Sequence, residues 1–275
     1  MLALDGISVN QNAVDFACYL GRLSNSKITA AFLENLVANE KPVLEQAHGV
    51  SYMNWVVDKK SEEYKSKMET VEKNISLFKE SCENRSVRYS IRREEGQPAK
   101  EILEDSRYAD VLILDAETSF NKIFEGIPTE FVKEILKDSE CPVIIAPESF
   151  DGIDEIVFTY NGTKSSMFAI KQFTYLFPQF DEKKITVVMV DDEGLCDDNE
   201  IQKFKDWLSS HYSSIGFQVL KGNTEAELFG YLLKKKNIFI VMGAYGRSAL
   251  SQLFKHSRAD LLIKTITQAI FISHY

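Results

Sequence analysis

The second half of the chain repeats the first, and an internal repeat constrains the fold more than any other feature this sequence carries. Leu4-Asp5-Gly6 followed by Asn12-Ala13-Val14-Asp15-Phe16-Ala17 parallels Tyr160-Asn161-Gly162 followed by Ser166-Met167-Phe168-Ala169-Ile170. Both read as a strand end, a turn and an apolar-periodic helix. Lys27-Ile28-Thr29 matches Lys184-Ile185-Thr186, each opening a β-branched run. Towards the end of each half, ADVLILDAETS from Ala109 overlies KNIFIVMGAYG from Lys236, 127 residues further on. The same offset carries Pro142–Ala146 onto Ala269–Ser273 without a gap.

Each half reads as five strands alternating with four helices. In the second half the expected strands are Ile156–Tyr160, Ile185–Val190, Phe217–Leu220, Ile238–Val241 and Ile270–Ser273. They are short and rich in Val, Ile and Phe, as strands buried on both faces should be. Helices are expected at Ser166–Phe177, Glu200–His211, Glu225–Lys235 and Ala259–Ile266. This alternation predicts an α/β fold: parallel sheets with helices on both faces and right-handed crossovers. The turn-rich stretch Pro147–Ile153 marks the joint, giving domains 1–149 and 150–275.

The first half departs in two ways. Its first strand has about three residues before Asp5, so it is either stunted or begins upstream. An insertion near 38–62 carries Tyr52, Met53 and Trp55 and is expected to be a loop packed on its own domain, with a partner-binding or lid role as the alternative.

The 275 residues, 44% hydrophobic and 27% charged, can bury a core in each half and exclude collagen-like and disordered classes. No apolar run approaches the ~18–20 residues of a bilayer span. The opening MLALDGISVNQ lacks the basic and apolar regions of a secretory leader, so a cytoplasmic chain with no membrane partner is expected. Cys18, Cys82, Cys141 and Cys196 lie more than fifty residues apart, which excludes zinc-finger spacing. The net charge of −9 is uneven. Residues 1–150 hold 18 basic and 26 acidic side chains, net −8, whereas residues 201–275 hold 10 and 4, net +6. This excludes tracking along nucleic acid but suits a small anion near the C-terminal quarter.

The segment Val241-Met242-Gly243-Ala244-Tyr245-Gly246-Arg247-Ser248, leading to Lys255-His256-Ser257, carries the chemistry. Gly243 follows a buried strand, where the backbone must turn and let a ligand approach. Ser257-Arg258-Ala259-Asp260 has the spacing of a helix N-cap. Free amides at that helix start, with Arg247, Lys255 and Arg258 nearby, form a phosphate cradle.

This segment resembles the G-x-x-G-(nine residues)-G-[Ser/Thr] signature of the universal stress protein family, and the repeat resembles two such domains in tandem. Asp5-Gly6 and Asn161-Gly162 stand where that family has its Asp-Gly turn. The resemblance implies two Rossmann-like domains, of the adenine nucleotide alpha hydrolase type, each a five-stranded parallel sheet of order 3-2-1-4-5. It implies ATP or a related adenine nucleotide, with accompanying Mg but no protein metal site, held in the second domain by Asn161, Gly162, Gly243, Gly246, Arg247, Ser248, His256 and Ser257. It also implies that the last strands, Val143–Ala146 and Ile270–Ser273, pair as an intramolecular pseudo-dimer, with a homodimer of whole chains left open. His256 replaces the family's third glycine, at ~1–2 kcal/mol if a left-handed backbone is needed; in an ordinary backbone its imidazole would face the phosphates. Asn161 replaces the Asp, adding a donor.

At the 127-residue offset the first half has Ala116, Ser119, Thr129 and Glu130 in place of Gly243, Gly246, His256 and Ser257. Both glycines are missing, and Glu130 sets a carboxylate at a helix start, so no nucleotide is expected there. His48, His211, His256 and His274 show no ligand spacing. The acidic residues Asp191, Asp192, Glu193, Asp197 and Asp198 read as a solvated loop, and Lys234-Lys235-Lys236 as a helix end complementing its dipole. No catalytic residue is assigned. His256 and Ser257 are neighbours in sequence, whose side chains diverge on a helix start. Three functions remain: a stress-response module sensing a nucleotide, a nucleotide-independent scaffold for an unknown protein partner, and a weak ATP hydrolase. Gly243→Val is the substitution expected to separate the first two.

Overall fold

The computed structural model describes residues 1–36, 40–47, 50–121, 124–191, 198–222, 224–243 and 267–273. The first half runs β1 (Leu2–Asp5), α1 (Gln11–Leu23), β2 (Ile28–Leu33), β3 (Glu40–Ala47), β4 (Val50–Val57), α2 (Glu62–Asn84), β5 (Tyr89–Glu94), α3 (Pro98–Ser106), β6 (Leu112–Leu114), α4 (Glu130–Asp138) and β7 (Val143–Ile145). The second runs β8 (Glu155–Thr159), α5 (Lys164–Leu176), β9 (Lys184–Asp191), α6 (Asp198–Ser209), β10 (Ser214–Lys221), α7 (Thr224–Leu232), β11 (Ile238–Gly243) and β12 (Ala269–Ser273). The helix expected at Ala259–Ile266 lies outside the described residues.

Ten strands form one sheet in the order β10-β9-β8-β11-β12-β7-β6-β1-β2-β5. Each half therefore contributes five strands in its own order 3-2-1-4-5. Strands within a half pair in parallel, and the halves meet where β12 and β7 pair antiparallel, Phe271 opposite Ile144. Val143–Ile145 and Ala269–Ser273 are buried at every position, because each covers the other's open edge.

Helix starts follow local chemistry. Asn10, Ser61, Thr129 and Thr163 each turn a side-chain oxygen onto a backbone N–H of the helix they precede. Alternate residues of the strands feed two apolar layers, one on each face of the sheet. One layer runs across the seam: Phe16 of the first half stands edge-on to Phe239 of the second, their centroids 5.7 Å apart. Phe173 of α5 packs against Phe180, Phe239 and Phe271, which makes an aromatic centre under the second half.

Three expectations need correction. The insertion is not a loop packed on its own domain but a hairpin, β3 paired antiparallel with β4 in a sheet of its own. Eight paired positions, Glu40 opposite Val57 through Ala47 opposite Val50, satisfy the backbone of both segments as a ladder, which a reading of the aromatic residues alone missed. The acidic stretch is also not all loop, since Asp191 ends β9 and Asp198 opens α6; residues 192–197 lie outside the described set. Finally, α7 ends at Leu232, so the lysine run lies beyond it. Lys235 Nζ instead reaches back 2.9 Å to the buried Glu155 carboxylate.

Candidate functional site

The carboxyl ends of β8 and β11 are adjacent, at the position where successive connections leave the sheet in opposite directions. Open parallel sheets accept ligands at such a point. Thr159 Oγ1 ties the two strands just below it by donating to the Val241 carbonyl, 3.2 Å away.

Asn161 and Gly162 form the turn above β8. The Asn161 Oδ1 accepts from the Thr163 N–H at 3.3 Å and from its hydroxyl at 2.7 Å. Thr163 in turn accepts from the Ser166 N–H and caps α5. Gly162 has φ 75°, the left-handed region where a side chain would be strained. The turn uses the Asn161 oxygen and does not need its amide nitrogen.

Gly243 ends β11 directly against the first turn of α5. A Cβ there would stand 2.6 Å from the Ser165 carbonyl carbon and oxygen and 2.7 Å from the Ser166 nitrogen. These are backbone atoms of a capped helix and cannot step aside. The glycine is therefore required by packing, whatever else approaches the loop. The structure thus brings together Asn161, Gly162 and Gly243 around one crevice. Gly246, Arg247, Ser248, His256 and Ser257 lie outside the described residues.

The corresponding point of the first half is bridged by the chain's own side chains. Asn10 Nδ2 donates to Asp115 Oδ2 at 2.8 Å, joining the turn after β1 to the end of β6. Asp5 Oδ1 accepts from the Ile7 N–H at 2.8 Å, and burial pushes its carboxyl above the usual range. Just before α4 the Glu125 carboxylate accepts from Ser119 Oγ at 2.7 Å and from Asn121 Nδ2. The Ser119 hydrogen bond foremost, with Asn121, the Glu130 amide and the Lys133 charge, holds Glu125 below the ordinary carboxylate value. An internal anion thus occupies the helix terminus that an external one would otherwise seek.

Sequence reasoning assigned the block at this position to Glu130, which instead pairs outward with Lys133 at 2.8 Å. The signal for Glu125 was present, since the 127-residue offset sets it against Gln252, a neutral residue. A second unforeseen cluster lies at the end of β2. The Glu34 carboxylate is wholly buried, with Oε1 held by Arg93 Nε, while Lys67 Nζ donates to the Glu34 carbonyl at 2.5 Å. Among the described residues no group of three or more His, Cys, Asp or Glu side chains could hold a metal, and no helix is long and apolar enough to cross a membrane.

No protein-family model matches the chain, and no curated protein matches it in sequence. Solved structures do. A universal stress protein from Archaeoglobus fulgidus DSM 4304 superposes with a TM-score of 0.67 at 14% identity, covering 99% of this chain and 97% of that one. A functionally unknown protein, PA1789, from Pseudomonas aeruginosa PAO1 superposes with a TM-score of 0.60 at 10% identity, covering 99% and 91%. What these share with the chain is the arrangement of strands and helices, and over 99% of its length the chain has the fold of a universal stress protein.

Proposed function

We propose that the protein is a stress-response module whose second half binds ATP or a related adenine nucleotide, while the first half serves as a closed structural partner. The observation that supports this most directly is the juxtaposition of the Asn161-Gly162 turn with Gly243 at the ends of two adjacent parallel strands. That is where a base and a phosphate chain would lie across the sheet. The +6 charge of residues 201–275 favours an anion on this side. In the first half, the Glu125 carboxylate and the Asn10–Asp115 hydrogen bond argue against a nucleotide.

The nucleotide, with Mg, would rest its phosphates on the loop that carries Gly246, Arg247, Ser248, His256 and Ser257. Binding would order a partner surface, and no hydrolytic step is assigned. Gly243→Val does not separate binding from folding, because its side chain would collide with the α5 backbone. Arg247→Ala and Ser257→Ala are better probes, removing one cation and one hydroxyl from the proposed cradle. Isothermal titration with Mg-ATP should give one site per wild-type chain and a weakened site in both variants. Two sites per chain would contradict the closed first half.

The hairpin supports a second reading, a nucleotide-independent scaffold. Its Leu44 and Met53 stand opposite each other, 67% and 60% exposed, on a ladder separate from the main sheet. Partner capture that survives both cradle substitutions and is lost with Leu44→Ser and Met53→Ser would favour it.

A further inference from the structure

The mechanism above makes no use of Cys18 and Cys82. Cys18 lies on α1 and Cys82 in the last turn of α2, 64 residues apart in the chain, and their sulfurs stand 3.7 Å from each other with both side chains buried. They belong to a seam along which the two helices are joined by side chains. Gln11 Nε2 donates to Ser81 Oγ at 3.1 Å, and Arg85 pairs with Asp15 at 2.8 Å. A disulfide needs sulfurs ~2.05 Å apart, so closure asks for less than 2 Å of movement along this seam.

We propose that Cys18 and Cys82 form a redox pair that closes to a disulfide on exposure to a peroxide, locking α1 onto α2. The Cys18 thiolate attacks one peroxide oxygen, and the O–O bond breaks. The departing hydroxide takes a proton to become water, and Cys18 is left as a sulfenic acid. Cys82 then gives up its proton and attacks the Cys18 sulfur. The S–S bond forms, the S–O bond breaks and a second water leaves. Two thiols have lost two electrons, and the peroxide has gained them.

Two further observations fit this order of events. The two sulfurs share one hydrogen bond that either can donate, and the Arg85 guanidinium nearby favours the charged form of Cys18. Both thiols are buried, so a peroxide would reach them through local opening at the end of α2, where Cys82 lies two residues before the last residue, Asn84. The bond would close a loop that includes β2, the β3–β4 hairpin and most of α2, and so would restrict the elements that flank the first crevice.

The test uses the whole chain carrying Cys141→Ser and Cys196→Ser, with the unsubstituted chain alongside. After native treatment with excess hydrogen peroxide and removal of the oxidant, intact mass should fall by two hydrogens. A tryptic fragment should join the Cys18 and Cys82 peptides, and dithiothreitol should release them. The oxidised form should melt about 3–8 °C higher than the reduced form, because the cross-link removes freedom from the unfolded chain. Two thiols that remain open to alkylation after native oxidation, or a cross-link that forms only in denaturant, would overturn the pair. A native cross-link with an unchanged melting point would overturn the locking of α1 to α2.

Discussion

A single methyl group at position 243 would meet the α5 backbone at 2.6 Å, closer than real Cβ contacts come. Gly243→Ala should therefore destabilise the fold by ~1–3 kcal/mol through overpacking, read as a lower urea midpoint with an unchanged slope. Glu34 makes a different demand on its neighbour. Its carboxylate has no solvent exposure, Arg93 holds one oxygen, and the other has no hydrogen-bond partner among the described residues. Arg93→Met should strand that charge and cost ~3–5 kcal/mol, and adding Glu34→Gln should restore part of the loss. Equal stability of the single and double variants would show that the pair is not what holds this end of β2.

The hairpin β3–β4 makes its ladder within itself and presents Val43, Leu44, Met53 and Val56 to solvent. Replacing residues 40–57 with a short Gly-Ser turn should leave the stability of the main sheet within about 0.5 kcal/mol. A collapse of the whole fold would mean that the hairpin supports the sheet. At the start of β8, burial pushes Glu155 up, but hydrogen bonds from Thr186 and Lys235 and the charges of Lys235 and Lys184 outweigh it and hold the group below its ordinary 4.5. An acid with a depressed folded value stabilises fully above its unfolded value and loses that contribution as pH falls through the folded one. Lys235→Met should thus cost ~1–3 kcal/mol at neutral pH, and the difference from wild type should shrink below about pH 4.5.

Periodicity made the strands and the three described helices of the second half legible to within a few residues, because buried parallel strands must be continuous in Val, Ile and Phe. The hairpin was not legible as such, since its stability as a ladder depends on cross-strand register and not on a core. Of the crevice, Gly243 and the Asn161-Gly162 turn could be read from spacing. Glu34 and the Glu155–Lys235 pair could not, because each depends on which residues distant in sequence the fold sets side by side.

At the scale of the molecule, the ten-stranded sheet is continuous through β7 and β12, and Phe16 and Phe239 share one apolar layer across the seam. A core shared in this way should unfold as a unit, with equal calorimetric and van't Hoff enthalpies. Two separated transitions would mean that the halves fold independently. Within that frame the halves have diverged at the same position: one closes its crevice with Asn10, Asp115 and Glu125, and the other sets Asn161, Gly162 and Gly243 around an equivalent crevice. The most direct measurement of this asymmetry is isothermal titration of the wild-type chain with Mg-ATP, repeated with Ser257→Ala. One site per chain, weakened by that substitution, is the predicted result. No heat and no thermal shift at millimolar nucleotide would contradict it.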